Sequence, residues 1–444
     1  MQAATRSRLT LACILLTILL DMIGVGIIVP VLPELLEELT GGSVADAAVI
    51  GGYLVFAYAL MQFVFSPVLG NLSDRYGRRP VLLASLLGLT FDYLMMSIAP
   101  FVWYLFIGRI IAGIAGAALA TATAYMADIT PPHKRTHRFG LIGAAFGLGF
   151  IIGPVVGGEL GELGPRVPFY AAAGLAFANF LFGLLVLPES LPKAKRRRFS
   201  IKRANPLGAV MALRQYPSVL WLLAVLFFLQ LATQALPTIF SYFTVEVFNF
   251  TSSTIGRTLG AFGIGFAFSQ AVLAGPLSKG IGEPAVGIVG LLAAAAAFAG
   301  IAFSADVYQL YLFIAVGTVS GLAPPAINGV LSRQVPDNSQ GELQGAVNAA
   351  SSLATIVGPL GATQIFSYYT STPASGHYFP GAPFIACGIA VVIALAIFAV
   401  AAWRFELSHR PSVADHPHVP DLPPPGQLRI PPIDEDEDAN PPRR

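Results

Sequence analysis

Charge is the scarcest ingredient of this sequence. Of 444 residues only 11% are Asp, Glu, Lys or Arg, against about a quarter in a soluble domain. The chain is 55% hydrophobic and its mean hydropathy is +0.70. So little polar surface cannot shield so many apolar side chains from water, which excludes a soluble fold and implies an integral membrane protein. Cysteine is nearly absent: Cys13 and Cys387 each sit inside an apolar run, and no disulfide framework follows from them. Histidine is missing from the apolar runs. His133, His137, His377, His409, His416 and His418 fall in loops or the tail. His133 and His137 are four apart, but they sit beside Lys134, Arg135 and Arg138, so solvated loop residues outweigh a metal site. No glycine-rich phosphate loop ending in Lys is present, which excludes ATP as the direct driver. Neither an enzyme motif nor a cofactor or metal site is expected.

Long apolar runs are what the chain has in abundance. Twelve windows reach the roughly 20 residues that cross a bilayer: 9–30, 48–69, 80–98, 102–126, 137–158, 168–187, 218–240, 255–276, 285–303, 307–331, 342–367 and 382–403. Continuous runs of that length predict helices rather than barrel strands. The first is too long for a signal peptide and no small-residue cleavage site follows it, so it is read as an uncleaved span. With both termini cytoplasmic, all but three of the 26 basic residues lie on the cytoplasmic side, as the positive-inside rule requires. Arg166 and Arg257 lie outside, and Arg109 lies within a span. The outer loop after the first span is expected to be acidic, with Glu34, Glu37, Glu38 and Asp46. Residues 191–217 form a basic cytoplasmic linker, suited to anionic lipid rather than nucleic acid. Residues 406–444 read as a Pro-rich acidic tail without a packed core.

Gly70 to Pro80, between the second and third runs, concentrates Asp74, Arg75, Arg78 and Arg79 around Gly77. Its plain reading is a topology signal. Its functional reading is a latch, in which Asp74 at a helix end pairs with an arginine of a neighbour and holds the cytoplasmic side closed. Sliding the chain by 205 residues superposes Gly70, Ser73 and Gly77 on Gly275, Ser278 and Gly282. The same slide puts Gly116 on Gly321, Pro131 on Pro336, and Gly153-Pro154 on Gly358-Pro359. Two parallel six-helix bundles follow, residues 1–190 and 218–405, because an even number of spans separates them. At the second hairpin Lys279 stands for Asp74 and the arginines are gone, so the charge cluster is expected in one half alone.

Twelve spans in a 6+6 repeat, a basic central loop and the Gly70–Pro80 hairpin resemble the major facilitator superfamily. Gly149-x-x-x-Gly153-Pro154-x-x-Gly157-Gly158 is similar to the fifth-span motif of its proton-driven exporters. Leu20 to Pro33, Tyr58 to Gln62, Asp92-Tyr93-Leu94 and Gly108-Arg109 resemble the tetracycline/proton antiporters. The likeness is thinner in the second half, where Gln230, Gln234, Pro237 and Gly341 to Gly345 match. The resemblance implies a secondary transporter moving a small molecule against protons. It also has a departure. The better-known pumps of that family carry a histidine in the eighth span and an acid in the ninth, and this chain has Phe266 and Ala294 there.

Ionisable groups at bilayer depth are costly and default to function. Asp21 lies about a dozen residues into its span with no basic partner at its depth, and is the first candidate for proton or substrate coupling. Asp92 and Arg109 lie at matching depth in adjacent spans. They read either as an ion pair that fixes helix register or as a proton-coupled switch. Gly149 to Gly158 read as close packing or as a proton-tight seam between the halves. Gln62, Gln230, Gln234 and Asn328 are more often interhelical hydrogen bonders than ligand contacts. As substrate contacts, Gln62, Gln230, Gln234 and Phe266 are the candidates, with Phe262, Tyr242 and Phe243 as aromatic walls. The expected function is proton-coupled export of an amphipathic organic molecule by a monomer. A sugar or metabolite carrier of the same fold is the alternative, and a transport-inactive receptor or scaffold is the alternative of another class.

Overall fold

The structure, a computed structural model, describes residues 2–116, 118–131, 134–197, 213, 216–336, 339–371 and 378–405. Twelve helices in it are long and apolar enough to cross a membrane: α1 Leu9–Thr40, α2 Val44–Tyr76, α3 Arg78–Ile98, α4 Val102–Ile129, α5 Arg138–Gly161, α6 Val167–Val186, α7 Pro217–Phe248, α8 Ser252–Ile281, α9 Glu283–Ala302, α10 Val307–Ser332, α11 Gln340–Thr370 and α12 Ala382–Arg404. All twelve expected windows are helical. Most helices outrun their windows, because the helix continues past the apolar stretch into the polar interface and keeps its backbone hydrogen bonds paired there. Two sequence expectations change as a result. Glu34, Glu37 and Glu38 are not in a loop: α1 runs through Pro30 and Pro33 to Thr40, so they ride on its last turns. The Gly70–Pro80 stretch is not a broad turn either. The α2 helix runs to Tyr76 and α3 starts at Arg78, so Gly77 alone makes the corner, with φ 110°. That angle suits glycine. Gly70 lies inside α2, and a side chain there would meet nothing within 4 Å.

The two halves pair their helices in the same way. The α1 helix packs on α5 and α6, α2 on α4, and α3 on α4 and α6; correspondingly α7 packs on α11 and α12, α8 on α10, and α9 on α10 and α12. The halves meet through α2 against α11 and α5 against α8, two seams that the 205-residue repeat interchanges.

Contact between the halves is uneven along the membrane normal. At the outer ends a Cβ on Gly256 would lie 3.0 Å from the Pro154 carbonyl carbon and 3.2 Å from Gly158 Cα. Gly51 of α2 leaves room for the Tyr242 hydroxyl of α7, and Gly52 for Thr363 of α11. The largest core cluster joins both halves through α1 residues such as Val31 and Leu35 and α7 residues such as Ile239 and Phe240. At the arginine-rich end the first half has a separate core of its own, with Ile14, Leu82, Tyr125, Ile142 and Leu187. There a side chain at Gly140, Gly143 or Gly147 of α5, Gly275 or Gly280 of α8, or Gly341 of α11 would touch nothing within 4 Å. The halves are therefore joined outside and parted on the cytoplasmic side.

In the linker Lys193–Lys195 forms a single 3-10 turn. Residues 198–212 and the tail from 406 lie outside the described residues, so the expected surface helix and acidic tail do too. His133 and His377 fall outside as well.

Candidate transport site

The polar centre of the first half is assembled from four helices. Asp92 of α3 is fully buried and Arg109 of α4 is 8% exposed. Arg109 Nη2 donates to Asp92 Oδ2 in an ion pair. Gly108 makes this possible: a Cβ there would sit 2.7 Å from Asp92 Oδ1. The guanidinium lies over the Tyr58 ring of α2, 5.7 Å from its centre, where the ring's negative face attracts it. One turn on, Gln62 Nε2 donates to the Tyr58 hydroxyl at 3.3 Å. Asp21 of α1 stands within electrostatic range of Tyr58 and Tyr93. Its Oδ1 is buried and has no hydrogen-bond partner. Of the two carboxylates, Asp92 alone pairs with the arginine, whereas Asp21 keeps a buried oxygen without a hydrogen-bond partner.

The second half holds no charge at this depth. Gln234 Nε2 of α7 donates to Thr355 Oγ1 of α11 at 2.7 Å, and Gln230 Nε2 reaches Ser351 Oγ at 3.5 Å. Both glutamines tie α7 to α11, as their bland reading expects. Phe266 and Phe262 are partly buried neighbours, ring centres 5.8 Å apart. Ala294 is buried and Asn328 is exposed. Tyr242 and Phe243 are not cavity walls: they are 1% and 2% exposed, inside the core. Phe243 packs edge-on against Phe248 and Phe384.

The α5 motif has two faces. Gly149, Gly153 and Gly157 let α1 lie directly on α5: a Cβ on Gly149 would be 2.6 Å from Met22 Cβ, one on Gly153 2.7 Å from Ile23 O, and one on Gly157 2.7 Å from Ile27 Cα. Gly158 instead faces Ser252 of α8 in the other half, and Pro154 touches both, its ring against Gly26 of α1 and its carbonyl against Gly256 of α8. Gly358, the repeat partner of Gly153, does the same for α7, at 2.7 Å from Leu231 O.

An outer clasp escaped the sequence reading. Arg257 of α8 grips Glu159 of α5 with two bonds, Nε to Oε1 at 2.5 Å and Nη2 to Oε2 at 3.1 Å. Beside it Ser253 donates its N–H to Glu162 and its hydroxyl to Glu159, and Ser252 donates to the Pro30 carbonyl. Ser241 of α7 reaches the Val29 carbonyl at 2.8 Å. The available signal was that Arg166 and Arg257 are the two outer exceptions to the charge rule. Arg166 pairs with Glu38 inside the first half, and Arg257 joins the halves.

The cytoplasmic hairpin does not join them. Arg78 pairs with Asp74 at 2.7 Å and with Asp128, at the end of α4, at 3.3 Å. Its N–H donates to Glu189, and Arg79 Nη2 donates to the Leu184 carbonyl at 2.7 Å. All these partners belong to the first half. With the cytoplasmic side parted, the expected latch residues Gly70, Asp74, Gly77, Arg78 and Arg79 lie within an internal brace of α2, α3, α4 and the end of α6.

A family model described as Major Facilitator Superfamily matches residues 14–359 and again 245–431. The chain belongs to the major facilitator superfamily. Within the superfamily it is 42% identical over 368 residues to the class C tetracycline resistance protein of Escherichia coli, covering 83% of this chain and 92% of that protein. It is 36% identical over 342 residues to the class B protein of the same organism, covering 77% and 84%. It is 28% identical over 411 residues to multidrug resistance protein 2 of Bacillus subtilis, covering 91% and 98%. Among solved structures it is similar in fold to a bacterial homologue of the human lysosomal transporter Spinster in an inward-facing, unoccupied conformation. That match has a TM-score of 0.75 and 16% identity, over 92% of this chain and 99% of the other. The human organic anion transporter MFSD10 matches with a TM-score of 0.64 and 23% identity, over 88% and 99%. The chain is a multi-pass integral membrane transporter, and the bacterial inner membrane is its setting.

Proposed function

We propose that this transporter exports an amphipathic organic compound of the tetracycline type in exchange for protons, by alternating access of the halves 1–190 and 218–405. The observation that carries this reading is the uneven partition of charge at mid-membrane, where Asp21 has an unpaired buried oxygen beside the Asp92–Arg109 pair. The names of the relatives support the substrate class.

In this reading Asp21 takes a proton from outside and releases it to the cytoplasm. Arg109 tunes the exchange by staying on Asp92 or leaning toward Asp21. Substrate enters from the parted cytoplasmic side and contacts Gln62, Gln230, Gln234 and Phe266. The outer clasp of Glu159 and Arg257 holds the inward-facing state, and it must open for release. The glycines of α5 let the halves rock without leaving a gap for protons.

The test is tetracycline accumulation in a pump-deficient bacterium expressing the chain, with and without a protonophore. Lower accumulation that the protonophore abolishes is expected; no energy-dependent difference for tetracycline or other amphipathic drugs removes the reading. Arg257→Gln should shift the population toward the outward-facing state, read as increased labelling of a cysteine that replaces the buried seam residue Ser252. Unchanged labelling removes the clasp from the mechanism.

A further inference from the structure

The cytoplasmic corner of the first half contains a cavity that transport does not use. It measures about 320 Å³ and lies between the end of α2, the start of α3, the end of α6 and the first residues of the linker. Arg79, Arg196 and the single acid Glu189 line it, with Pro80, Leu83 and Leu184 as apolar wall and Tyr76 at its edge. Both arginines bury an Nε–H that has no hydrogen-bond partner. A buried arginine donor without an acceptor carries its full desolvation cost. Glu189 does not remove the deficit: it accepts from the Arg78 and Leu191 N–H groups and stands 3.9 Å from Arg196. The apolar wall continues onto the lipid-facing side of α6, where Leu181, Leu184 and Leu185 are 42%, 43% and 84% exposed.

We propose that this cavity binds an anionic phospholipid of the cytoplasmic leaflet, its phosphate held by Arg79 and Arg196 and its first acyl carbons lying along Leu83 and Leu184. Three features fit one another. The guanidinium fork matches phosphate oxygens, the depth is that of the headgroup layer at the end of the spans, and the sign matches the negative cytoplasmic leaflet. A soluble anion would use the two arginines but not the apolar wall. The lipid would tie the linker to the α2–α3 corner, where the Arg197 N–H already donates to the Asp74 carbonyl at 3.1 Å.

The full-length protein, stripped of lipid in detergent, is offered phosphatidylglycerol or phosphatidylcholine, and retained lipid is counted by native mass spectrometry. Phosphatidylglycerol should be retained in preference, and Arg79→Gln with Arg196→Gln should weaken its retention about thirtyfold, from the loss of two interfacial cations. Arg404→Gln, a cation on the same membrane face outside the cavity, should leave retention unchanged. Leu184→Glu places a carboxylate at the mouth and should also expel the lipid, which serves if the double variant does not fold. Equal retention by the double variant or by Leu184→Glu, or no preference over phosphatidylcholine, overturns the proposal. So does displacement of the lipid by millimolar inorganic phosphate, which would mark a site for free anions instead.

Discussion

The two cytoplasmic hairpins have one backbone and opposite charges. Gly77 and Gly282 each make the whole corner, with φ 110° and 85°. Each donates its N–H to a serine carbonyl four residues back, Ser73 at 3.0 Å and Ser278 at 3.1 Å. In the first half Arg78 pairs with Asp128; in the second Glu283 faces Arg333, 2.5 Å away. The 205-residue offset carries 78 to 283 and 128 to 333, and it also carries Asp74 to Lys279. A triad of acid, base and acid becomes base, acid and base. The expectation that the second hairpin lost its charge cluster is thus corrected: it kept the alternation and inverted the signs. The brace needs opposite charges between the hairpin and the end of the next helix but one. It does not need a particular sign. The surplus cations Arg75 and Arg79 fall on Gly280 and Pro284, so they are the part of the first hairpin that the second lacks.

The same contrast holds at mid-membrane, where the first half is charged and the second neutral, and it can be broken most severely there. Asp21→Asn should lower protonophore-sensitive export about a hundredfold or more, the scale of losing a proton-transfer group, with normal expression. Export within a fewfold of normal would move the coupling role to Asp92.

The hairpin comparison is sharpened by inverting a triad. Arg78→Glu alone gathers three acids and should lower transport about tenfold, because it strands partly buried charges. Adding Asp74→Lys and Asp128→Arg copies the second half's pattern and should recover most of the loss. No recovery would mean that the sign itself matters.

The two corners should differ less. An alanine at either glycine is forced into an extended backbone of positive φ that only glycine adopts readily, at about 1–3 kcal/mol. At Gly77 the new methyl also meets the Glu189 carboxylate and lies 3.0 Å from Arg196 Nη2, whereas at Gly282 its nearest neighbour is Pro284 Cδ at 3.8 Å. Gly77→Ala should therefore lower the unfolding temperature in detergent more than Gly282→Ala. Equal shifts would show that Glu189 and Arg196 move aside freely. The smallest effect is expected from Gln234→Leu, which removes one bond between α7 and α11 and should cost about 0.6 kcal/mol of stability, the average for such bonds in membranes.

Much of the candidate site was legible because membrane burial makes a charge conspicuous. Asp21, Asp92 and Arg109 stand out against apolar runs, and matching depth in adjacent spans placed the latter two together. The outer clasp was not legible. Glu159 and Arg257 lie at helix ends, where charge is ordinary, and they are 98 residues apart. The inverted brace was also hidden, since residue identity at offset 205 fails where Arg78 meets Glu283. Complementarity within each half, not identity between halves, is what was kept.

The sequence by itself determined twelve helices, their orientation and the doubling of the fold. Bilayer thickness, backbone hydrogen bonding and the distribution of Lys and Arg act on local stretches of chain, and leave few alternatives. Tertiary structure alone decided which ends of the halves touch, that Tyr242 and Phe243 belong to the core, and that the Gly70–Pro80 stretch braces the first half. Those outcomes depend on how the two bundles are tilted against each other. Such tilts are set by contacts between residues far apart in the chain, so no local stretch of sequence specifies them.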